Sequence, residues 1–239
     1  PAAFPGVAVF KPRWGPASRY GVIACASSLD QIGFLARSAR CLERLFGILA
    51  GPAPRDATSE PTPPPPALAA PDLAGLRVGL LEDPGPGLDP EVWRAVERAA
   101  AALVELGAEL RAVRLPHAEL ALSAYYVVAT AEASSNLARF DGVRFGLRAE
   151  GADTLPEMMA ATRGAGFGAE VKRRVLLGTH ALRAGYHDAW YERASRVRNL
   201  VRGDYQAAFA EVDLVIGPTA PTGAFELGRM SGDPLAMYL

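Results

Sequence analysis

The feature that most constrains the fold is a strand–helix–strand pattern between residues 76 and 115. Leu76–Leu81 (LRVGLL) is a short apolar run typical of a strand, and Asp89-Pro90 then offers a helix N-cap followed by proline at the first helical position. Glu109–Leu115 (ELRAVRL) alternates polar and apolar residues with period two, as half-buried strands do. Because these elements follow one another within about forty residues, they predict a βαβ unit and an α/β fold.

Helical spacing of apolar residues accounts for most of the remaining chain. An amphipathic helix is predicted from Ile32 to Gly51, where Gly51-Pro52 stops it. Further helices are predicted from about Leu120 to Arg139, around Leu155 to Thr162, and from Ala169 through Ala210 with breaks at Gly178, Gly185 and Gly203, before a buried strand at Leu214–Ile216.

The chain divides at a proline-rich segment. Residues 52–75 contain the run Pro63–Pro66 and few large apolar groups, which favours extended polyproline geometry in a surface linker. We therefore expect residues 1–51 to form one part and residues 76–239 the other, within one structural domain overall. Both ends look truncated, since the chain begins without Met and stops in what resembles the opening of a helix.

Composition excludes several classes of function. Half of the 239 residues are hydrophobic, which is enough for a substantial core. The 25 basic and 26 acidic side chains give a net charge of -1, so no charged surface for nucleic acid or an anionic membrane is expected. Cys25 and Cys41 form no CxxC, which argues against a metal knuckle or a disulfide framework. A cytoplasmic protein that does not cross a membrane is the expectation.

A second unusual stretch is Tyr125–Gly146, which places polar groups inside a helix-forming run. Glu132 and the triplet Ser134–Asn136 interrupt an otherwise apolar pattern. Buried polar groups without partners cost a few kcal/mol each, so such a cluster either satisfies itself or faces a ligand. Composition alone leaves both alternatives open.

Several motifs together carry a family resemblance that spans nearly the whole chain outside the proline-rich segment. They are Lys11-Pro12, Ser18–Gly21, Ser27–Gly33, Glu132–Arg139, Asp141-Gly142, Gly166–Gly168, Glu170–Arg174, Leu177–Thr179, Pro218–Pro221 and Asp233–Tyr238. With these motifs the chain closely resembles the amidase signature family. Within that family, the later motifs resemble the A subunits of glutamyl-tRNA(Gln) amidotransferases rather than general amidases.

This resemblance implies a fold and an activity. The implied fold is a mixed central β-sheet with helices on both faces. The implied activity is a glutaminase, whose ammonia converts glutamate on misacylated tRNA to glutamine, or aspartate to asparagine. The family uses a Ser, cis-Ser, Lys triad that forms an acyl-enzyme, and all three residues are expected to precede Pro1, so this chain by itself is expected to be inactive.

The resemblance also implies partners and a division of labour. B and C subunits are expected, together with L-glutamine as substrate. No cofactor is expected in this chain, because ATP and Mg²⁺ would bind to the partner subunit. Contact with tRNA is likewise expected only through the partner, which agrees with the near-neutral charge.

Two residues match the glutamine-holding positions of the family: Tyr125 and Arg174. The family's pocket aspartate would fall just beyond Leu239. A guanidinium binds an α-carboxylate with bidentate geometry that lysine cannot match. From the residues alone, Arg174 could equally belong to a solvated helix face, and Tyr125 could be a core aromatic. We expect Glu132 and its polar neighbours to support this helix against the turn at 217–221.

Departures from the family pattern cluster near the start of the chain. Val9-Phe10 replaces the usual Gly-Leu, and the other departures are Arg13 for Thr, Pro16 for Arg, Phe34 for Pro and Cys41 for Asp.

Two other functions are compatible with the sequence. One is a fragment of a stand-alone amide hydrolase of the same superfamily, and the other is a degenerate, non-catalytic paralogue. Arg174 discriminates the first of these, because a cation for an α-carboxylate serves glutamine but not a simple apolar amide.

Overall fold

Five strands and six α-helices form the regular structure of the described residues, which in this computed structural model are 6–61, 72–82, 85, 87–186 and 188–226. In chain order they are β1 (Ala8–Phe10), β2 (Phe34–Ala36), α1 (Ala39–Leu49), β3 (Arg77–Leu81), α2 (Pro90–Glu105), β4 (Glu109–Val113), α3 (Ala118–Leu137), α4 (Leu155–Gly166), α5 (Ala169–Leu182), α6 (Arg193–Glu211) and β5 (Leu214–Ile216), with a π-helical turn at Asp188–Glu192 before α6.

The chain separates into two compact units. The first comprises residues 1–20, 31–115 and 206–239, and contains the strands. The second comprises residues 21–30 and 116–205, and is helical. The expectation of one structural domain overall stays a prediction. The proline-rich residues 62–71 and the motif at 233–238 lie outside the described residues.

The first unit confirms the predicted βαβ unit and the α/β class. β3 pairs in parallel with β4 and with β5, in the order β4-β3-β5. The Asp89 side chain caps α2 by accepting a hydrogen bond from the Glu91 N–H at 2.8 Å. Gly107 follows the helix at φ +100°, a left-handed conformation that favours glycine. Val113, Ala208 and Val212 form a buried core beside the sheet.

The predicted helix from Ile32 begins later than expected. Phe34–Ala36 forms β2, which pairs with β1 in a separate antiparallel sheet, and α1 starts only at Ala39. The reason is the cap residue: the Ser38 hydroxyl accepts a hydrogen bond from the Cys41 N–H at 3.3 Å. This stops the helix from extending back toward Ile32.

The departures near the start of the chain are accommodated within this unit. Phe10 and Phe34 are opposite each other across β1 and β2, and both lie against Phe46 in edge-on contacts at 5.0 and 6.3 Å. Pro16 is fully buried. Arg13 forms an ion pair with Glu60. Phe10 and Phe34 therefore pack as a pair against Phe46.

The proline-rich segment begins as turns rather than as an extended chain. The Asp56 carboxylate accepts hydrogen bonds from the N–H groups of Arg19 at 2.7 Å and Thr58 at 2.9 Å. The hydrogen bond from the Thr58 hydroxyl does most to hold the pKa of Asp56 at about 2, and the two N–H bonds lower it further. Residues 52–61 are thus fastened to the first unit.

In the second unit, two of the three predicted helix breaks do not occur. α5 runs through Gly178 and α6 runs through Gly203, and the chain leaves the helix only around Gly185. Gly178 serves packing instead, because a Cβ there would lie 1.9 Å from the Thr130 carbonyl oxygen. α3 and α5 therefore approach so closely that only glycine fits between them.

None of the helices in the described ranges combines the length and apolar character needed to cross a membrane.

Candidate functional site

The site is built around a tight turn, Cys25–Asp30, which we call the serine loop. The Asp30 carboxylate accepts hydrogen bonds from the N–H groups of Cys25 at 2.9 Å and Ala26 at 3.1 Å. The Asp30 N–H in turn donates to the Ala26 carbonyl at 2.7 Å. Asp30 therefore closes the loop on itself.

Glu132 on α3 holds the middle of the serine loop. Its carboxylate accepts hydrogen bonds from the Ser28 N–H at 2.8 Å and from the Ser28 hydroxyl at 2.5 Å. The Tyr191 hydroxyl donates to the same carboxylate at 3.3 Å. Burial raises the pKa of Tyr191, and the charge of Glu132 raises it further, so Tyr191 stays protonated as a donor. Glu132 thus binds the serine loop and Tyr191, and its support of the turn at 217–221 stays a prediction.

Arg198 on α6 holds Ser28 from the other side. Its guanidinium donates to the Ser28 hydroxyl at 2.9 Å and to the Ser28 carbonyl at 3.1 Å. Sequence reasoning missed Arg198, because it lies among the similar residues Arg193, Arg196 and Arg202, and its partner is 170 positions away in the chain. No local signal distinguishes it.

Two members of the polar triplet in α3, Ser134 and Asn136, bind neighbouring segments. The Asn136 amide donates to the Cys25 carbonyl at 3.0 Å and to the Ser27 hydroxyl at 2.9 Å. The Ser134 hydroxyl shares a hydrogen bond with Thr179 on α5 at 2.9 Å. Of the two alternatives left open for this cluster, the structure therefore favours self-satisfaction, with the serine loop as the main recipient.

The end of α3 is capped from α4. The Arg163 guanidinium donates to the carbonyls of Leu137 at 3.0 Å and Phe140 at 3.2 Å, and it lies over the Phe167 ring at 5.0 Å. A cation at a helix C-terminus satisfies orphan carbonyls and opposes the negative end of the helix dipole. This holds the second half of Tyr125–Gly146 in place.

Tyr125 lies at the other end of α3, in the wall of a cavity of about 110 Å³. The side chain is 44% exposed, and its ring meets the Tyr126 ring edge-on at 5.2 Å. The cavity is apolar apart from the phenol and one guanidinium. Its lining residues are Leu29, Ala121, Ala124, Tyr125, Val128, Arg198 and Val201.

Arg174 lies on α5, half-buried. Its Nε donates to the Glu170 carboxylate one turn earlier at 2.8 Å, while the neighbouring Arg173 binds the other oxygen of Glu170 at 2.6 Å. Burial raises the pKa of the Cys25 thiol, the charge of Asp30 raises it further, and the charge of Arg174 offsets part of this rise.

Arg174 is not among the residues that line the cavity around Tyr125. Leu29, near the end of the serine loop, lines the Tyr125 cavity. The substrate roles of Tyr125 and Arg174 stay predictions.

Comparison with known proteins decides the family. A family model described as Amidase matches residues 1–239. The chain belongs to the amidase family.

Curated relatives of this amidase-family chain are A subunits of glutamyl-tRNA(Gln) amidotransferase. The subunits from Acidobacterium capsulatum and Symbiobacterium thermophilum are each 53% identical to it over its whole length, which corresponds to 51% and 50% of theirs. The crystal structure of the corresponding subunit from Thermotoga maritima matches with a TM-score of 0.73 and 30% identity, over 100% of this chain and 47% of that one. The chain thus spans about half the length of the curated relatives it matches. The resemblance recognised from the motifs is confirmed, as is membership of an amidase-type enzyme family.

Proposed function

We propose that this chain is part of the glutamine-hydrolysing subunit of a tRNA-dependent amidotransferase. The observation that carries the proposal is the identity of 53% to amidotransferase A subunits along 100% of the chain. Identity at that level over every element is a stronger argument than any single motif.

The binding chemistry assigned to this chain is recognition of the amino-acid end of glutamine. Arg174 would bind the α-carboxylate, because a guanidinium offers two parallel donors to a planar acceptor. The hydrogen bond from Arg174 Nε to Glu170 fixes the orientation of the guanidinium before substrate binds. Tyr125 would supply a hydroxyl and an aromatic wall. The Ser, cis-Ser, Lys triad would come from sequence outside this chain.

Ammonia released at this site would be consumed by partner subunits. The B and C subunits would complete the complex, and the partner would bind ATP, Mg²⁺ and tRNA. The acceptor would be glutamate or aspartate esterified to tRNA. The net charge of -1 supports this division, because it gives this chain no general affinity for a polyanion.

The Arg174→Ala substitution tests the glutamine assignment in the complete subunit assembled with its partners. Loss of charged hydrogen bonds worth about 1.5–3 kcal/mol is expected to raise KM for glutamine roughly 10- to 100-fold. Arg173→Ala is the matched control, because Arg173 is adjacent and binds the same glutamate but is not assigned to substrate. Its KM should change less than about twofold.

An unchanged KM for glutamine in the Arg174→Ala variant would contradict the assignment of Arg174 to glutamine binding. Efficient hydrolysis of simple apolar amides by both variants, without preference for glutamine, would favour the stand-alone amide hydrolase.

A further inference from the structure

Ser28 connects two opposite charges, and each of its polar atoms is bound. Its N–H and hydroxyl donate to Glu132, while its hydroxyl oxygen and carbonyl accept from Arg198. The Ser28 hydroxyl thus accepts a hydrogen bond from the Arg198 cation and donates one to the Glu132 anion. Hydrogen bonds to charged groups are roughly twice as strong as neutral ones, so these bonds fix Ser28 tightly.

The contact needs the shape of arginine. Arg198 reaches two different acceptors of one residue with two different nitrogens, a fork that a lysine ammonium cannot reproduce. Arg198 is itself exposed, so its removal does not leave a buried cavity. Glu132 would keep the Ser28 N–H and the Tyr191 hydroxyl as donors.

Ser28 lies in the segment that borders the predicted substrate residue Tyr125. Leu29 and Arg198 line the cavity of Tyr125. At the other end of the loop, Asn136 fixes the Cys25 carbonyl. A displacement of the serine loop would therefore alter the walls around the phenol.

From this arrangement we infer that Arg198 is a positioning residue of the glutamine site, acting through Ser28 to hold the serine loop; the inference rests on the proposed function. Arg198 does not touch the reacting atoms in this scheme. It sets how well the site accommodates glutamine before chemistry begins, and its loss is expected to affect KM rather than kcat.

The first measurement is hydrogen exchange of the amides in residues 25–30, in the complete subunit with its partners. Arg198→Ala should speed their exchange about tenfold or more, because the Ser28 carbonyl and hydroxyl lose their donors. Arg196→Ala, an exposed residue on the same helix, is the matched control and should leave the exchange as in the wild type.

The second measurement is the split between KM and kcat for glutamine. Arg198→Ala should raise KM about tenfold while kcat stays within about twofold. Arg198→Lys should recover only part of the loss, because it keeps the charge but not the fork. Ser28→Ala removes the bridging hydroxyl from the other side and should raise KM by a similar factor.

The outcomes separate the inference from the proposed function. Unchanged amide exchange in Arg198→Ala would show that Arg198 does not hold the serine loop. Faster exchange with unchanged KM overturns the positioning role and leaves the glutaminase assignment intact. A fall in kcat that matches the fall in stability, with full recovery in Arg198→Lys, indicates a structural role and also overturns the positioning role. If the wild-type complex does not hydrolyse glutamine, the proposed function is wrong, and so is the positioning role. The hydrogen exchange still tests whether Arg198 holds the serine loop.

Discussion

Asp213 shows how one carboxylate joins two strands at the residue scale. It accepts hydrogen bonds from the Arg77 backbone N–H at 2.8 Å, from Arg77 Nε at 3.2 Å and from the terminal guanidinium nitrogen at 2.7 Å. These bonds hold its pKa at about 2, below the ordinary value of 3.8. Arg77 opens β3 and Asp213 precedes β5, so the pair fixes the register of the parallel strands.

This pKa predicts a pH dependence of stability. Because the folded-state pKa is depressed, the contribution of Asp213 is present above pH 3.8 and is lost as the pH falls toward 2. The difference in free energy of unfolding between wild type and Asp213→Asn should therefore be largest above about pH 5 and should shrink in acid. Urea unfolding at several pH values measures it. A difference that stays constant would contradict the account.

Phe10 and Phe34 give a second prediction at this scale. Phe34 is 6% exposed and Phe10 is 37% exposed, so alanine should cost about 3 kcal/mol or more at position 34 and less at position 10. Because the two rings share Phe46 and a strand pair, the double substitution should cost about 1 kcal/mol less than the sum. Strictly additive costs would show that the two departures from the family pattern are independent.

At the scale of elements, the contact between α3 and α5 depends on the absence of a side chain at Gly178. Gly178→Ala would place a Cβ 1.9 Å from the Thr130 carbonyl, so the helices must separate. Its free energy of unfolding should fall by at least about 2 kcal/mol.

Gly203→Ala is the matched control for this contact. It also lies inside a helix, but nothing approaches within 4 Å of its would-be Cβ, so alanine should stabilise by about 0.5–1 kcal/mol. The two substitutions are expected to move the denaturation midpoint in opposite directions. Stabilisation of equal size at both sites would show that Gly178 matters only for chain flexibility and would contradict the packing role.

The elements that sequence reasoning predicted well are those specified locally. The βαβ unit follows from the Asp89 cap, the Gly107 stop and the periodicity between them. The failures of the sequence predictions have a physical cause as well. Glycines inside α5 and α6 indicated breaks, because nothing local distinguishes a packing glycine such as Gly178 from a helix end.

The candidate site was predicted in part, for a similar reason. Family motifs assigned Tyr125 and Arg174, but Glu132 was not linked to Ser28, and Arg198 was missed. The bonds from Ser28 to these two residues join positions 104 and 170 apart in the chain. Such pairings depend on tertiary structure and leave no local pattern.

At the scale of the whole molecule, the chain consists of a strand-containing unit and a helical unit, and it spans about half the length of the amidotransferase A subunits it matches. The predicted binding residues and the serine loop all lie in the helical unit. A glutaminase subunit that feeds a partner must release nitrogen from glutamine and deliver it to a second substrate. Neither hydrolysis nor delivery alone establishes both halves of that function.

The most direct test follows the nitrogen itself. The complete subunit, assembled with its B and C partners, ATP and Mg²⁺, is supplied with amide-¹⁵N glutamine and misacylated tRNA, and the amino acid released from the tRNA is analysed by mass spectrometry. We expect ¹⁵N in glutamine or asparagine recovered from the tRNA, with Arg174→Ala lowering the yield at limiting glutamine and Arg173→Ala leaving it unchanged. Recovery of only unamidated glutamate or aspartate, from a complex that hydrolyses other amides, would contradict the assignment.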